Sequence, residues 1–283
     1  MSREKLSVLS QMFALCTALL CALAASRAEN AKPSTAPDDT PIKLLRAAAE
    51  RGSLPDQMAL AQCHLRGIGV KTNASEAMKW FRRAAEQSNA PAQSILGSAH
   101  QAGLGVTKDP VEAVRWFQRA ADQGYAPAQF SLAVALGSGQ GAAKDETAAL
   151  GWFRRAADQG FVPAQYNLGD CHAEGRGVAR DAAEACRWFQ RAADAGFAFA
   201  QYRLGLACAD GLGVAPDKAE AYKWFLLATA RVAQAGEARK ALAEKLTAAE
   251  FDEGCRRAEQ FKPKIVPGVS YLNPLDPPPE SAK

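Results

Sequence analysis

Residues 96–124, LGSAHQAGLGVTKDPVEAVRWFQRAADQG, decide the reading of the whole chain. Ala113, Trp116, Phe117, Ala120 and Ala121 fall at i, i+3, i+4, i+7 and i+8, one apolar stripe along a helix, here called helix B. Upstream, Leu96, Gly97 and His100 belong to a shorter helix A. Gly103 suits the left-handed residue that ends helix A, and Gly105 allows a tight connection. Asp109 and Glu112 stand three apart just before the stripe, the spacing of a capping box. In it Asp109 accepts from the N3 amide while Glu112 reaches back to the N-cap amide.

The same pattern runs outward in both directions. Trp80, Trp116, Trp152, Trp188 and Trp224 are the only tryptophans; each is followed by Phe, and successive ones lie 36 residues apart. The pairs Gly67/Gly69, Gly103/Gly105, Gly139/Gly141, Gly175/Gly177 and Gly211/Gly213 keep that step. So do Gln57, Gln93, Gln129, Gln165 and Gln201, the first four with Pro two residues before. Self-similarity at such a period is the signature of a helical solenoid. The capping box recurs at Asn73/Glu76, Asp181/Glu184 and Asp217/Glu220, whereas Asp145 faces Ala148 and its box is half formed. Helices this short are marginal alone, so stacking must bury the Trp-Phe faces as one continuous core. Residues 42–56 form an N-terminal cap with Leu44 and Leu45 in the Trp and Phe places. Residues 237–262 hold two more helical patterns, the second opened by Thr247 and Glu250, which close the other end.

Composition removes several function classes. With 48% apolar and 23% charged residues among 283, the chain is neither wholly disordered nor a multi-span membrane protein. A formal charge of +4 is too mild for neutralising a nucleic-acid backbone. Arg3 and Lys5 precede an uncharged stretch over residues 6–25 and then the small Ser26 and Ala28. This reads as a secretory signal peptide, 1–28, directing the chain to the periplasm or the cell exterior; an uncleaved signal anchor is the one route to a membrane. Its removal takes three cations and one anion, lowering the charge from +4 to +2. Nine of the fifteen prolines lie in a linker, 29–41, and a tail, 263–283, so both are expected to lack regular structure.

The residue pattern Leu-Gly-x-x-(aromatic or His)-x-x-Gly-x-Gly-Val, then Asp-x-x-x-Ala-x-x-Trp-Phe-x-x-Ala-Ala-x-x-Gly, is nearly complete at 96–124 and 168–196. It extends over 57–236 and resembles the Sel1-like repeat of the tetratricopeptide superfamily. The resemblance implies an all-α fold: an α/α solenoid, a right-handed superhelix of five 36-residue helix-turn-helix repeats with helical caps. It implies a non-enzymatic scaffold or adaptor that binds a protein or peptide partner. The first repeat departs at Ala61, where the family has Gly; the third departs at Ala133, Leu136 and Ala142, which leaves the register of its connection open. By analogy with tetratricopeptide grooves, positions flanking the Leu-Gly pair face inward. These are Phe130, Tyr166, Asn167, Asp170, Glu174, Tyr202, Arg203 and Asp210. Inter-repeat packing is the competing reading for Phe130, Tyr166 and Tyr202. One alternative comes from the family, β-lactam binding or cell-wall hydrolysis as proposed for cysteine-rich relatives; attachment to cell-wall polymer is a third reading.

Other residue sets read as structural. His64, His100 and His172 share one repeat position. Zinc needs ligand nitrogens about 2 Å from the ion, whereas equivalent helices of stacked repeats lie roughly 10 Å apart. They are packing residues in this reading, and no metal or cofactor is expected. The Gly-x-Gly pairs follow helices, not strands, and lack a third glycine, so they are not phosphate loops. Arg83, Arg119, Arg155 and Arg191 have Glu86, Asp122, Asp158 and Asp194 three residues on, which predicts local ion pairs. Cys63, Cys171, Cys186, Cys208 and Cys255 remain after signal removal; the odd count leaves at least one unpaired, and Cys186 with Cys208 is the one pairing that neighbouring helices favour. Asn73-Ala-Ser75 is a glycosylation sequon whose Asn is explained by capping. No His-Glu-x-x-His or Ser, His and Asp arrangement stands out, so no catalytic residue is assigned.

Overall fold

The computed structural model describes residues 40–264. The signal peptide 1–28, nearly all of the linker 29–41 and all but two residues of the tail 263–283 lie outside the described residues. Those described form thirteen helices and no strand. In order they are α1 (Thr40–Glu50), α2 (Leu54–Arg66), α3 (Ala74–Glu86), α4 (Ala90–Ala102), α5 (Pro110–Asp122), α6 (Ala126–Ser138) and α7 (Glu146–Asp158). Then come α8 (Val162–Glu174), α9 (Ala182–Asp194), α10 (Ala198–Asp210), α11 (Lys218–Ala228), α12 (Ala233–Ala243) and α13 (Ala248–Glu259). Even-numbered helices from α2 to α10 are the A helices and odd-numbered ones from α3 to α11 the B helices. The chain divides at Lys144 into two compact units, the first holding α1–α6 and the second α7–α13. The expected cap 42–56 resolves into α1 and the first residues of α2, and the C-terminal pair begins at Ala233, four residues before its expected start.

Each helix B opens on a side-chain cap. Asn73, Asp109, Asp145, Asp181 and Asp217 accept from the amide three residues on at 2.8–3.0 Å. The reciprocal half of the expected capping box does not form in the repeats. The N–H groups of Asn73, Asp109, Asp181 and Asp217 donate instead to the carbonyls of His64, His100, His172 and Cys208, at 2.8–3.0 Å. With that donor already taken, Glu76, Glu112, Glu184 and Glu220 pair with Lys79, Arg115, Arg187 and Lys223 on the next turn. Only Thr247 and Glu250 complete a box, at the start of α13.

Helix A ends where expected, on a left-handed glycine with φ between 69° and 77° at Gly67, Gly103, Gly139, Gly175 and Gly211. The second glycine does more than tighten a turn. A Cβ at Gly105, Gly141, Gly177 or Gly213 would overlap the carbonyl of Ala74, Pro110, Glu146 or Ala182 in the first turn of the preceding repeat's helix B. It is therefore an inter-repeat contact. Gly139 and Gly141 behave like their counterparts, which fixes the register of the third repeat despite its departures.

Two buried features lock helices together inside each unit. A Cβ at Gly97, Gly169 or Gly205 would lie 2.5–2.7 Å from the ring of Phe117, Phe189 or Phe225, so the bare backbone of helix A seats the Phe of its own helix B. The five repeated glutamines, at most 8% exposed, each donate Nε2 to a carbonyl in the last turn of the preceding helix, α1 for Gln57 and a helix B for the other four. Those acceptors are Ala49, Ala85, Ala121, Ala157 and Ala193, at 3.1–3.3 Å. Each of these carbonyls also accepts the backbone N–H three residues on, at 2.9–3.1 Å, and the glutamine adds a second donor that ties the next helix to it.

In the second unit α12 and α13 cover the last repeat. Arg257 bonds Asp217 at 2.8 Å and Glu220 at 3.0 Å, and Phe261 meets Trp224 edge-on at 5.5 Å. The chain then returns to α9, where Lys264 N–H donates to Asp194 O at 2.7 Å. No helix among the described residues is long and apolar enough to cross a membrane.

Candidate functional site

The eight residues expected to face a groove separate into packing residues and a polar cluster. Phe130, in the first unit, is 2% exposed. In the second unit Tyr166 packs against Phe189, Phe197 and Phe199 with ring centroids at 5.8, 5.3 and 6.3 Å. Burial, helped by the charge of Asp170, pushes its hydroxyl far above the usual tyrosine range. Asn167 turns its amide onto its own helix, donating to Pro163 O at 2.9 Å, as the Ser131 hydroxyl does to Pro127 O. For Phe130, Tyr166 and Asn167 the expectation of an open binding face is thus corrected: these three side chains are buried. Tyr202 is half-buried on Phe225 at 5.9 Å.

Asp170, Glu174 and Arg203 do come together. Arg203 of α10 reaches Asp170 of α8 at 2.8 Å and lies over the Phe189 ring at 5.0 Å. Arg176, in the loop after α8, joins them 3.7 Å from Asp170 and 3.4 Å from Glu174. The Asp170 side chain is only 15% exposed, so loss of either partner would strand a partly desolvated charge. Asp210, at the end of α10, is exposed. Two carboxylates and two guanidiniums thus share one polar patch on the A-helix side of the second unit, with the Tyr166 aromatic cluster beneath. Arg176 was not singled out from sequence. Its signal was there: the residue between the paired glycines is Ile68, Leu104, Gln140 and Leu212 in the other repeats, and charged here alone.

The other candidate sets take structural roles. His64 and His172 are buried with both ring nitrogens unbonded. His100 sits 3.2 Å from Thr107 O and 3.4 Å from Arg82. Among the described residues no three His, Cys, Asp or Glu side chains gather as metal ligands. The arginine row does not form the expected ion pairs. Arg83, Arg119, Arg155 and Arg191 lie 4.3–4.5 Å over the rings of Trp80, Trp116, Trp152 and Trp188 three residues earlier. On a helix that spacing puts the guanidinium over the indole face. Cys186 and Cys208 are both free thiols, as are Cys63, Cys171 and Cys255. The Cys186 thiol donates to Leu212 O at 3.1 Å. Burial pushes the Cys171 and Cys208 thiols up to about 11 and about 12.

The Sel1 repeat family matches five times in succession, over residues 55–89, 90–125, 126–161, 162–197 and 198–231. The crystal structure of a Sel1 repeat protein from Oxalobacter formigenes is similar at 30% identity and a TM-score of 0.64, covering 69% of this chain and 80% of that one. Another similar structure is c5321, a protective antigen of uropathogenic Escherichia coli strains with an SLR fold, at 29% identity and a TM-score of 0.53. That match covers 79% of this chain and 56% of the antigen, so this chain spans little more than half its length. No curated protein matches significantly. Matched repeat for repeat, the chain belongs to the Sel1 repeat family, all-α repeat solenoids that mediate protein–protein interactions.

Proposed function

We propose that this protein is a non-enzymatic adaptor, exported by its N-terminal leader, that captures a protein or peptide partner on the A-helix side of its second unit. The observation that carries the reading is the Asp170–Arg203 pair bridging α8 and α10 at 2.8 Å, with Arg176 and Glu174 beside it. Such a network holds its charges in fixed positions on packed helices, ready for a partner's complementary groups, and charged rims of this kind set specificity and encounter rate. Tyr202 and Asp210 flank it along α10.

A charge swap tests it. Asp170→Arg with Arg203→Asp keeps the internal ion pair while inverting what a partner meets. Affinity purification of wild type and swap from the native cell envelope, read by mass spectrometry, should show one protein recovered with wild type and lost with the swap. Equal recovery would remove the site from this face.

A further inference from the structure

The third repeat lacks two residues that the other four carry just before their tryptophan. Helix B carries Glu four residues before Trp and Lys or Arg one residue before it: Glu76 and Lys79, Glu112 and Arg115, Glu184 and Arg187, Glu220 and Lys223. Each couple is ion-paired at 2.8–3.2 Å. In the fourth repeat Glu184 also accepts from Trp188 Nε1–H at 2.8 Å, and in the fifth the Lys223 ammonium sits 3.9 Å over Trp224. Those four tryptophans are 1–6% exposed.

In α7 the two places hold Ala148 and Gly151, and Trp152 alone of the five is only half-buried. A depression of about 230 Å³, lined by Ala148, Gly151, Trp152 and Arg155, lies where the missing couple would be. That is below the roughly 300 Å³ at which small-molecule pockets begin, so it suits a side chain. Space above Gly151 is open. The flank is cationic: Arg154 and Arg155 are exposed, Arg155 is stacked 4.4 Å over the indole, and neither makes an ion pair among the described residues.

We propose that Trp152 is a docking point for a partner peptide presenting an aliphatic side chain beside a carboxylate, on a face separate from the Asp170–Arg203 cluster. The occupant's chemistry is that of the missing couple. In the fourth repeat the chain itself lays a carboxylate on the indole N–H and in the fifth a lysine over the indole face; here both residues are absent while Arg154 and Arg155 make no ion pair among the described residues. Trp and Arg are also the residue types that dominate binding hot spots.

The test uses the full chain and a terminally blocked, dye-labelled probe, Gly-Asp-Leu-Glu-Leu-Asp-Gly, read by fluorescence anisotropy. Two control probes replace the acids by Lys or the leucines by Ser. The key variant restores the couple, Ala148→Glu with Gly151→Lys, and is expected to fold at least as well as wild type. Wild type should bind the acidic-aliphatic probe, shielding one tryptophan from acrylamide quenching. Binding should fall at least tenfold for either control probe and for the restored variant, whose helical circular dichroism stays unchanged. Equal binding by the restored variant, or no binding by wild type, would overturn the proposal. So would wild-type self-association abolished in the restored variant, because the occupant would then be a second copy of the chain.

Discussion

Gln165 reaches back eight residues to donate its side-chain amide to the carbonyl of Ala157 at 3.3 Å, joining the start of one repeat to the end of the one before. The bond is buried, but the same carbonyl also accepts from Gly160 N–H at 2.9 Å, so its loss removes one of two bonds and strands nothing. Gln165→Leu should cost about 0.5–1.5 kcal/mol, the net worth of one hydrogen bond. Urea unfolding followed by circular dichroism checks this; an unchanged midpoint would show that water replaces the amide.

The second glycine of each pair predicts a contrast within one unit. At Gly177 the backbone φ is +68° and a Cβ would overlap Glu146 O, so Gly177→Ala should cost about 2 kcal/mol or more. At Gly151 nothing lies within 4 Å, and Gly151→Ala should stabilise helix α7 by about 0.5–1 kcal/mol. Paired thermal melts of the two variants must move in opposite directions.

Ser88 carries a φ of +63° where the equivalent positions hold Gly124, Gly160 and Gly196. A side chain in the left-handed region is strained, so Ser88→Gly should raise stability by about 0.5–1 kcal/mol. A melting temperature equal to or below that of wild type would contradict this.

His64 gives the fold an acid sensitivity. Burial lowers its pKa below the ordinary value of 6.5, with Glu76 opposing and Arg46 assisting. A base whose folded pKa is depressed leaves the unfolded chain binding more protons, so stability is present above pH 6.5 and is lost as pH falls through that value toward the folded one. His64→Gln should flatten this part of the stability–pH curve. Denaturant midpoints from pH 7.5 to 5 check it.

The periodic residues made the fold legible. Trp, paired Gly and Gln recur every 36 residues because every repeat must solve the same packing problem, and a stripe such as Ala113, Trp116 and Phe117 defines its own helix. Competition between partners was not legible. Glu76 matches a capping box, yet the carbonyl of His64 takes the N-cap amide first. Arg83 could equally meet Glu86 or Trp80, both three residues away, and the indole face wins. The site was legible in part for a similar reason. Asp170 and Arg203 show their charge in the sequence, but the burial of Tyr166 depends on the neighbouring Phe189, Phe197 and Phe199, which only packing brings together.

Partner capture through the A helices of the second unit can be read directly. Hydrogen exchange of the full chain, alone and with the protein recovered by affinity purification, reads it residue by residue. Added protection is expected around residues 166–176, in α8 and the loop after it, and 202–210 of α10, and is absent in the Asp170→Arg, Arg203→Asp swap. Protection confined to other segments, or equal in wild type and swap, would contradict it.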